Sequence, residues 1–525
     1  MKLVTGSQMC RIEQIAIEEL GIPSILLMEN ASVKIAEFCF RFLKGTKNPE
    51  VLIICGSGNN GGDGTALARH LHVKGIKTHV VFSGDINSAK GDAAVNYEII
   101  RKLNIPIEFI NHDGNVVFSP LSSSPSGVPR FCGIELDKYD LIIDAVFGTG
   151  LTRDIEGSAR QLIEAVNRYA KYVISVDMPS GIHSDTGKIM GGAVKADETV
   201  TLGFPKKGLY LYPGYEYAGI IHIEDIAIPP SLIERIETKA GFLTDSEAVD
   251  LLPVRKRRSN KGDCGRIFVF AGSDEMPGAA SMACSAAYMT GGGLVRACVT
   301  QNTASVIQHW QREVVTRITA DKNGMYCKKS LDNLTDEIKH ADVIVLGPGI
   351  GRSPDVTEFV FELLKISEAP VVIDADALFA VSENVNILKE IKAPCVITPH
   401  PGEMSRLAKM SVSDILDDIA GTASRFSGEF NVVTLLKDAH TIIAGPDGQI
   451  YINTTGNNAL SKAGTGDVLT GMIAGFIAQG SDVFNASVLG AYFHGKSCEK
   501  ACLSRSRYSV IASDIIENIS AVMGK

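Results

Sequence analysis

The chain has 525 residues, of which 45% are hydrophobic and 21% charged, and it carries a formal net charge of -9. That length exceeds a single hydrophobic core and calls for roughly two to four domains. The acidic balance argues against nucleic acid or acidic membrane surfaces as partners, which leaves small molecules. The opening MKLVTGSQMCRIEQIAIEEL has no apolar signal core, and no uninterrupted apolar run approaches the roughly 20 residues of a bilayer span. The eleven cysteines are scattered, only Cys498 and Cys502 lying close together and none forming a C-x-x-C pair. A soluble, reduced, cytoplasmic protein is expected.

Short β-branched runs alternate with helical stretches throughout, the pattern of α/β domains with parallel sheets. Val51 to Cys55 reads as a buried strand that enters a glycine-rich turn, Gly56 to Gly64, followed by the helical pattern TALARHLHVKG. Gly56, Gly58 and Gly61 satisfy G-x-G-x-x-G, and Asp85 follows the strand THVVF about where a ribose-binding acid belongs. The turn lacks the Lys-Ser/Thr ending of a Walker loop. Its Asn59, Asn60 and Asp63 suit a ligand with many hydroxyls, or a bound cation, better than a bare pyrophosphate. A loop kept only for its shape is the competing reading, since Asn and Gly both tolerate positive φ. Residues 111–136, rich in Ser, Pro and Gly, read as a surface insertion without chemistry. The next strands are Leu141 to Val146 and Tyr172 to Val176. Asp144 leads into VFGTGLTRD and Asp177 into Met178-Pro179-Ser180-Gly181, so acids and glycines gather at strand carboxyl ends, where open α/β sheets bind ligands. ETVTLGF and AGIIHIEDIAI close this half. Pro229-Pro230 breaks the pattern and sets domains of 1–230 and 231–525.

The basic run Arg255 to Arg258 reads as a solvated or phosphate-facing segment before the strand RIFVFAGS. The second half then repeats one rhythm, a strand ending at a polar turn. DVIVL enters Gly347-Pro348-Gly349-Ile350-Gly351, VVIDADAL follows, CVIT enters Pro399-His400-Pro401-Gly402-Glu403, and VVTLL enters Lys437 to Thr441. Any one of these turns has a core explanation, and His400 alone is more readily a satisfied turn histidine. Several in one domain point to one cleft. The last turn, Ala463-Gly464-Thr465-Gly466, opens a helix whose first amides have no internal partners and can take a phosphate. Asp467 would repel that phosphate, so its placement suggests a base accepting a proton from an attacking hydroxyl. An acid favoured by the helix dipole explains an isolated GTGD equally well.

The turn NNGGDG, the segment DAVFGTGLTRD and the segment VDMPSGI together resemble the NAD(P)H-hydrate epimerase domain. The series KGDCGRIFVFAGS, MPGAA, LGPGIG, DADAL, TPHPGEM, LLKDAHT and SKAGTGDVLTGMIAGFIAQG resembles the NAD(P)H-hydrate dehydratase domain of the ribokinase-like superfamily. The matches cover nearly the whole chain in family order, so the whole is similar to the bifunctional NAD(P)H-hydrate repair enzymes. The resemblance implies two three-layer α/β/α domains, an N-terminal Rossmann-like epimerase domain and a C-terminal ribokinase-like domain. It implies repair of hydrated nicotinamide nucleotides: R and S hydrates are interconverted, and the S form is dehydrated at the expense of ADP or ATP, with ADP expected as in bacterial relatives.

By the same resemblance, Asn59, Asn60, Gly61, Gly62, Asp63, Gly148, Thr149, Gly150, Leu151, Thr152, Arg153, Asp154 and Asp177 contact the hydrated nucleotide. Asn60, Asp144 and Ser180 hold a potassium ion. Ala280, Gly349 or Gly351, and His400 line the hydrate pocket. Lys437, Asp438, Ala439, His440, Thr441 and Gly466 bind the adenine nucleotide, which carries a magnesium ion, and Asp467 is the base. Asp177 is the expected proton-transfer group of the epimerase, with Asp144 the competitor. Asn260 departs from the family, where His is usual before Lys-Gly. The expected partners are small-molecule substrates and further copies of the chain, with no nucleic acid and no membrane. A kinase that stops at a phosphoester, a non-enzymatic binding module and a simple dehydrogenase are the alternatives; the last leaves the second half unexplained.

Overall fold

The computed structural model describes residues 1–84, 88–110 and 134–524. Asp85 and nearly all of the Ser/Pro/Gly-rich insertion lie outside the described residues. The chain forms two compact bodies, Lys2–Ala240 and Gly241–Lys525, the latter joined by Met1. Each has helices on a mainly parallel sheet.

In the first body the strands are β1 (Glu50–Cys55), β2 (Lys77–Ser83), β3 (Ile107–Ile110), β4 (Leu141–Ala145), β5 (Val173–Val176), β6 (Glu198–Leu202) and β7 (Ile220–Glu224). They run β3-β2-β1-β4-β5-β6-β7, all parallel. Because the central strands are covered on both faces, they read as unbroken apolar runs, and β1 is buried from Val51 to Cys55. The strand order reverses direction between β1 and β4, and the crevice at such a switch point is where open sheets bind ligands. Around it stand helices α1 (Gly6–Glu18), α2 (Ser24–Phe42), α3 (Asn59–Val73), α4 (Gly91–Lys102) and α5 (Gly157–Tyr169). Helix α3 begins at Asn59, so NNGGDG forms its first turns where the sequence pattern placed a loop. Backbone packing explains this: a Cβ on Gly61 would stand 1.8 Å from the Gly56 carbonyl oxygen, so only glycine lets the strand turn straight into the helix.

The second body contains β8 (Arg266–Phe270), β9 (Leu294–Val299), β10 (Val315–Ile318), β11 (Val343–Leu346), β12 (Val371–Ile373), β13 (Cys395–Ile397), β14 (Val433–Leu436), β15 (Thr441–Ala444) and β16 (Ile450–Asn453). Its order includes β16-β15-β14-β13-β12-β11-β8-β9-β10. Strands β8 to β14 are parallel to their neighbours, and β15 and β16 add an antiparallel hairpin. Helices α6 (Pro277–Met289), α7 (Pro401–Ala408), α8 (Thr465–Ala478), α9 (Val483–Ala501) and α10 (Ala512–Val522) complete the set used below. Among the described residues no helix is long and apolar enough to cross a membrane.

Helix α8 carries the GTGD turn at its start, and its position is set by backbone-close packing on α6. A Cβ on Gly471 would stand 2.2 Å from the Ala283 carbonyl oxygen and 2.9 Å from the Ala286 methyl, and one on Gly475 would stand 2.7 Å from Thr290 Cβ. The small residues of both helices therefore place the start of α8 over the strand ends. Gly471→Val is expected to destabilise this body by about 1–3 kcal/mol through overpacking. Thermal unfolding reads the loss as a lower midpoint of the second body's transition.

Candidate active sites

The switch point of the first body opens into a cavity of about 440 Å³. Its wall takes Ser57, Gly58, Asn59, Asn60 and Asp63 from the start of α3, Val146 to Leu151 from the loop after β4, Asp177 after β5, and Leu202 and Lys206 after β6, with Cys10 and Glu13 from α1. Of the residues expected to contact a nucleotide, Asn59, Asn60, Asp63, Gly148, Thr149, Gly150, Leu151 and Asp177 thus share one wall. Gly61, Gly62, Thr152, Arg153 and Asp154 stand behind it or beyond it.

Asp144 does not line this cavity. It is buried in β4, where it accepts hydrogen bonds from the Ser180 amide at 2.8 Å, the Ser180 hydroxyl, and the Ser175 hydroxyl at 2.8 Å. Burial pushes its carboxyl up, and those donors oppose the shift. Ser180 Oγ also lies 2.8 Å from the Phe147 amide and 3.3 Å from the Phe147 carbonyl oxygen. Next to this knot the side chain of Asn60 is buried, and neither its carbonyl oxygen nor its amide nitrogen has a hydrogen-bond partner among the described residues. Such a group is costly unless something satisfies it, by about 1–3 kcal/mol. A Cβ on Gly148 would stand 3.5 Å from Asn60 Oδ1, so the loop after β4 closes on the amide. Of the expected ion ligands, Asp144 and Ser180 are bonded to each other, and Asn60 Oδ1 is a further buried oxygen without a partner among the described residues.

Asp177 follows β5 at φ +64, a left-handed conformation that a non-glycine residue holds only when its surroundings impose it. Its Oδ1 takes the ammonium of Lys206, the Leu202 amide at 3.2 Å and the Thr201 hydroxyl at 3.4 Å. Lys206 is 1% exposed and also donates to the Leu202 carbonyl at 2.7 Å. Sequence reading passed over Lys206 and Glu13. The position of Lys206, just past a strand's carboxyl end, is the signal that could have found it.

In the second body the parallel neighbours β11, β12, β13 and β14 end side by side, and their next residues converge. Lys437, after β14, sits 2.9 Å from Asp374 Oδ1, after β12. Asp374 also accepts from Thr398 Oγ1 at 2.7 Å, after β13, and from Thr470 Oγ1 at 3.0 Å, on α8. Glu403 stands 4.0 Å from the same ammonium. Burial depresses Lys437, yet Asp374 and Glu403 outweigh it and hold the ammonium above its ordinary value. Gly466 lies directly over this pair, its hypothetical Cβ 3.6 Å from Lys437 Nζ and 3.7 Å from Asp374 Oδ2. Beside it the Asp467 carboxyl is pushed up to about 7 by burial and by Asp374, with Lys437 opposing. Burial likewise raises Glu403. Behind the turn, buried His494 is pushed down to about 4 by burial and stays neutral.

Lys437, Gly466 and Asp467 are thus brought together, and Asp374, Glu403 and Thr470 join them from outside the sequence-derived set. Asp438 and Ala439 are exposed on the adjoining turn, and Thr441 Oγ1 lies 3.4 Å from the Asp438 carbonyl oxygen. His440 is buried. His400 caps α7: its Nδ1 accepts from the Gly402 amide at 3.0 Å, and Glu403 returns a bond to the His400 amide at 2.9 Å. Its ring remains 54% exposed, so capping and a substrate contact are compatible. Ala280 is fully buried in α6. Gly349 and Gly351 both hold positive φ. Gly349 faces Met276 and Ala279, and Gly351 faces Met325.

A family model described as NAD(P)H-hydrate dehydratase matches residues 267–521, and one described as YjeF-related protein N-terminus matches residues 24–208. Proteins named bifunctional NAD(P)H-hydrate repair enzyme Nnr match along their length. That of Moorella thermoacetica is 36% identical, covering 100% of this chain and 97% of its own. That of Thermofilum pendens is 34% identical over 97% and 93%, and that of Escherichia coli 29% identical over 98% and 92%. Among solved structures, the ADP/ATP-dependent NAD(P)H-hydrate dehydratase of Bacillus subtilis, co-crystallised with ATP and magnesium, is 29% identical. It covers 54% of this chain and 96% of its own, with a TM-score of 0.46. With a relative above 30% identity spanning both chains almost end to end, this chain belongs to the family of bifunctional NAD(P)H-hydrate repair enzymes.

Proposed function

We propose that the second body dehydrates the S hydrate at the Asp467 turn and that the first body epimerises the R and S hydrates in the cavity beside Asp177. The observation that carries this is the assembly of Lys437, Asp374, Gly466 and Asp467 at one strand edge: a phosphate turn, a cation and a carboxyl able to change protonation near neutral pH.

The substrate's own chemistry sets the problem. A dihydronicotinamide ring is an enamine, so hydration leaves a hydroxyl on the carbon next to the ring nitrogen, and hydroxide is a poor leaving group. Phosphate is a good one. The ring hydroxyl attacks the terminal phosphorus of the donor while Asp467 takes its proton, and the free amides of the turn hold the charge on the transferring group. The C–O bond then breaks with its electron pair leaving on phosphate, the nitrogen lone pair closes an iminium, and loss of the neighbouring C–H proton restores the dihydronicotinamide. ADP is the expected donor and leaves as AMP, and Lys437 stands against its phosphates. A magnesium ion arriving on the donor would neutralise phosphate charge, with Asp374 and Glu403 the nearby carboxylates to hold it.

In the first body, Asn59, Asn60 and the loop Gly148 to Leu151 bind the hydrate, and Thr152 to Asp154 extend that loop toward the rest of the nucleotide. Potassium held by Asn60, Asp144 and Ser180 would satisfy the orphaned amide oxygen of Asn60 and lock the loop, a supporting role consistent with Asp144 standing off the cavity. Asp177, on the wall itself, is the better proton-transfer group. The described cysteines are all free thiols.

The test of the whole reading is a mixture of R and S NADPH hydrates supplied with ADP or ATP, following the returning absorbance of the reduced nicotinamide. A stable phosphoester product would make the second body a kinase instead. Asp467→Asn is expected to lower S-hydrate repair by roughly 10²–10⁴-fold while epimerisation and the melting temperature hold, since Asn keeps the size and cannot accept the proton. In the parent, repair should rise with pH through about 7, because Asp467 works only after losing its proton. Asp144→Ala is expected to abolish the potassium dependence of epimerisation. It also strips Ser175 and Ser180 of their acceptor, for about 1–3 kcal/mol of stability. A chain beginning at Gly241 should convert the S hydrate completely and stall on the R form until the separate first body is added, a result read in a short assay after subtracting spontaneous epimerisation.

A further inference from the structure

The first-body cavity holds more acid than its one cation can pair. Among its walls stand the carboxyls of Glu13 from α1, Asp63 from α3, Asp92 from α4 and Asp177, against the single ammonium of Lys206. The geometry allots that ammonium to one partner. Lys206, the Leu202 amide and the Thr201 hydroxyl all converge on Oδ1 of Asp177, and Oδ2 receives no hydrogen bond from the described residues. Asp63 is 9% exposed, and its carboxyl has no hydrogen-bond donor among the described residues. We propose that Asp63 and Asp177 work as an acid–base pair on the hydrated ring, Asp63 giving a proton and Asp177 Oδ2 receiving one, with Lys206 a positioning residue that holds Asp177 by its Oδ1. This rests on the epimerase reading of the first body.

The groups facing Asp63 keep it in the neutral form. Burial raises its carboxyl well above the usual range, the charges of Asp177 and Glu13 add to this, and Lys206 opposes. Glu13 is itself raised by burial, and the thiols of Cys10 and Cys55 are raised as well; none of these groups can supply a second cation. The step balances. Asp63 protonates the hydroxyl oxygen, the C–O bond breaks with its pair leaving on water, and the ring-nitrogen lone pair closes an iminium. Water then attacks the same carbon from the other face, its proton passes to Asp177 Oδ2, and the pair returns to nitrogen. One water is lost and one gained. Cavity water carries the proton from Asp177 back to Asp63, and the reverse reaction uses the same groups in exchanged roles.

The experiment uses the full chain, the R hydrate and the second body's own dehydration of the S hydrate as the folding control. Asp63→Asn is expected to lower the kcat of epimerisation by roughly 10²–10⁴-fold with KM within about threefold. Lys206→Met is expected to lower kcat and to move the acid limb of the kcat profile to higher pH, because losing the neighbouring cation favours a neutral carboxyl. A purely structural lysine would change the melting temperature and leave the limb in place. The parent should show a bell-shaped profile, and in water labelled with oxygen-18 one labelled oxygen should enter per epimerisation. Those two parent readings stand even where a variant fails to fold. Epimerisation by Asp63→Asn within about threefold of the parent, a profile without an alkaline limb, or retention of the original oxygen would each overturn the pair. A parent chain that leaves the R hydrate unconverted would instead remove the epimerase reading, and this assignment with it.

Discussion

A single ammonium set among several carboxyls, buried at Lys206 and half-buried at Lys437, is the interaction on which both sites depend. Lys437 is bonded to Asp374 and approached by Glu403, while Asp467 stands beside them with no bond to that ammonium. Lys206 is committed to Asp177, while Asp63 and Glu13 remain unpaired in the same cavity. Burial penalises every charged form, and one cation compensates most the carboxyl that it touches. The remaining carboxyls are driven toward neutrality, which brings Asp467 to about 7, where it can take and release a proton. Breaking such a buried pair by removing one partner typically costs about 3–5 kcal/mol, because the survivor is left charged and dry.

The backbone supplies the geometry that this electrostatic arrangement needs. Parallel strands end in register, so the residues that follow β12, β13 and β14 stand side by side whatever their separation in the chain. That is how Asp374, Thr398 and Lys437 come to share one hydrogen-bonded group. Two non-glycine residues at such ends, Asp177 and Ala375, hold positive φ of 64 and 52. Each costs on the order of 1–3 kcal/mol and persists because its surroundings impose it. The start of α8 is positioned by Gly471 and Gly475 against α6, so the GTGD turn rests on a close helix crossing.

Much of this was legible from the residues. The apolar runs VLIIC, THVVF, DVIVL and VVTLL are strands because buried parallel strands need no polar face, and the acid-and-glycine turns lie at their carboxyl ends. Asp467 was singled out for being an acid where an anion should bind, and burial raises its carboxyl to about 7. Lys206 was missed because FPKKGLY has no glycine fingerprint and its lysine looks like any surface cation. Asp374 was visible as part of DADAL, but nothing along the chain shows that its oxygens meet Lys437 and Thr470. Helix α3 began six residues before the pattern TALARHLHVKG, since the close approach of Gly61 to Gly56 overrides the poor helix propensity of glycine and asparagine.

The sequence by itself determined the α/β class, the strand ends that carry chemistry and the family, because periodicity and turn residues are local signals and several turns in a fixed order are hard to mimic. Only the tertiary structure decided which of the acids meet a cation and which are raised by burial away from one. Protonation depends on burial and on the nearest cation, and Lys206 lies 29 residues from Asp177 while Lys437 lies 63 from Asp374. It also decided that Asp144 stands inside the sheet, bonded to Ser175 and Ser180, while Asp177 stands on the cavity wall. Both acids end a strand in the same way along the chain, and the direction in which the folded backbone aims each side chain separates the carboxyl bonded inside the sheet from the one on the cavity wall.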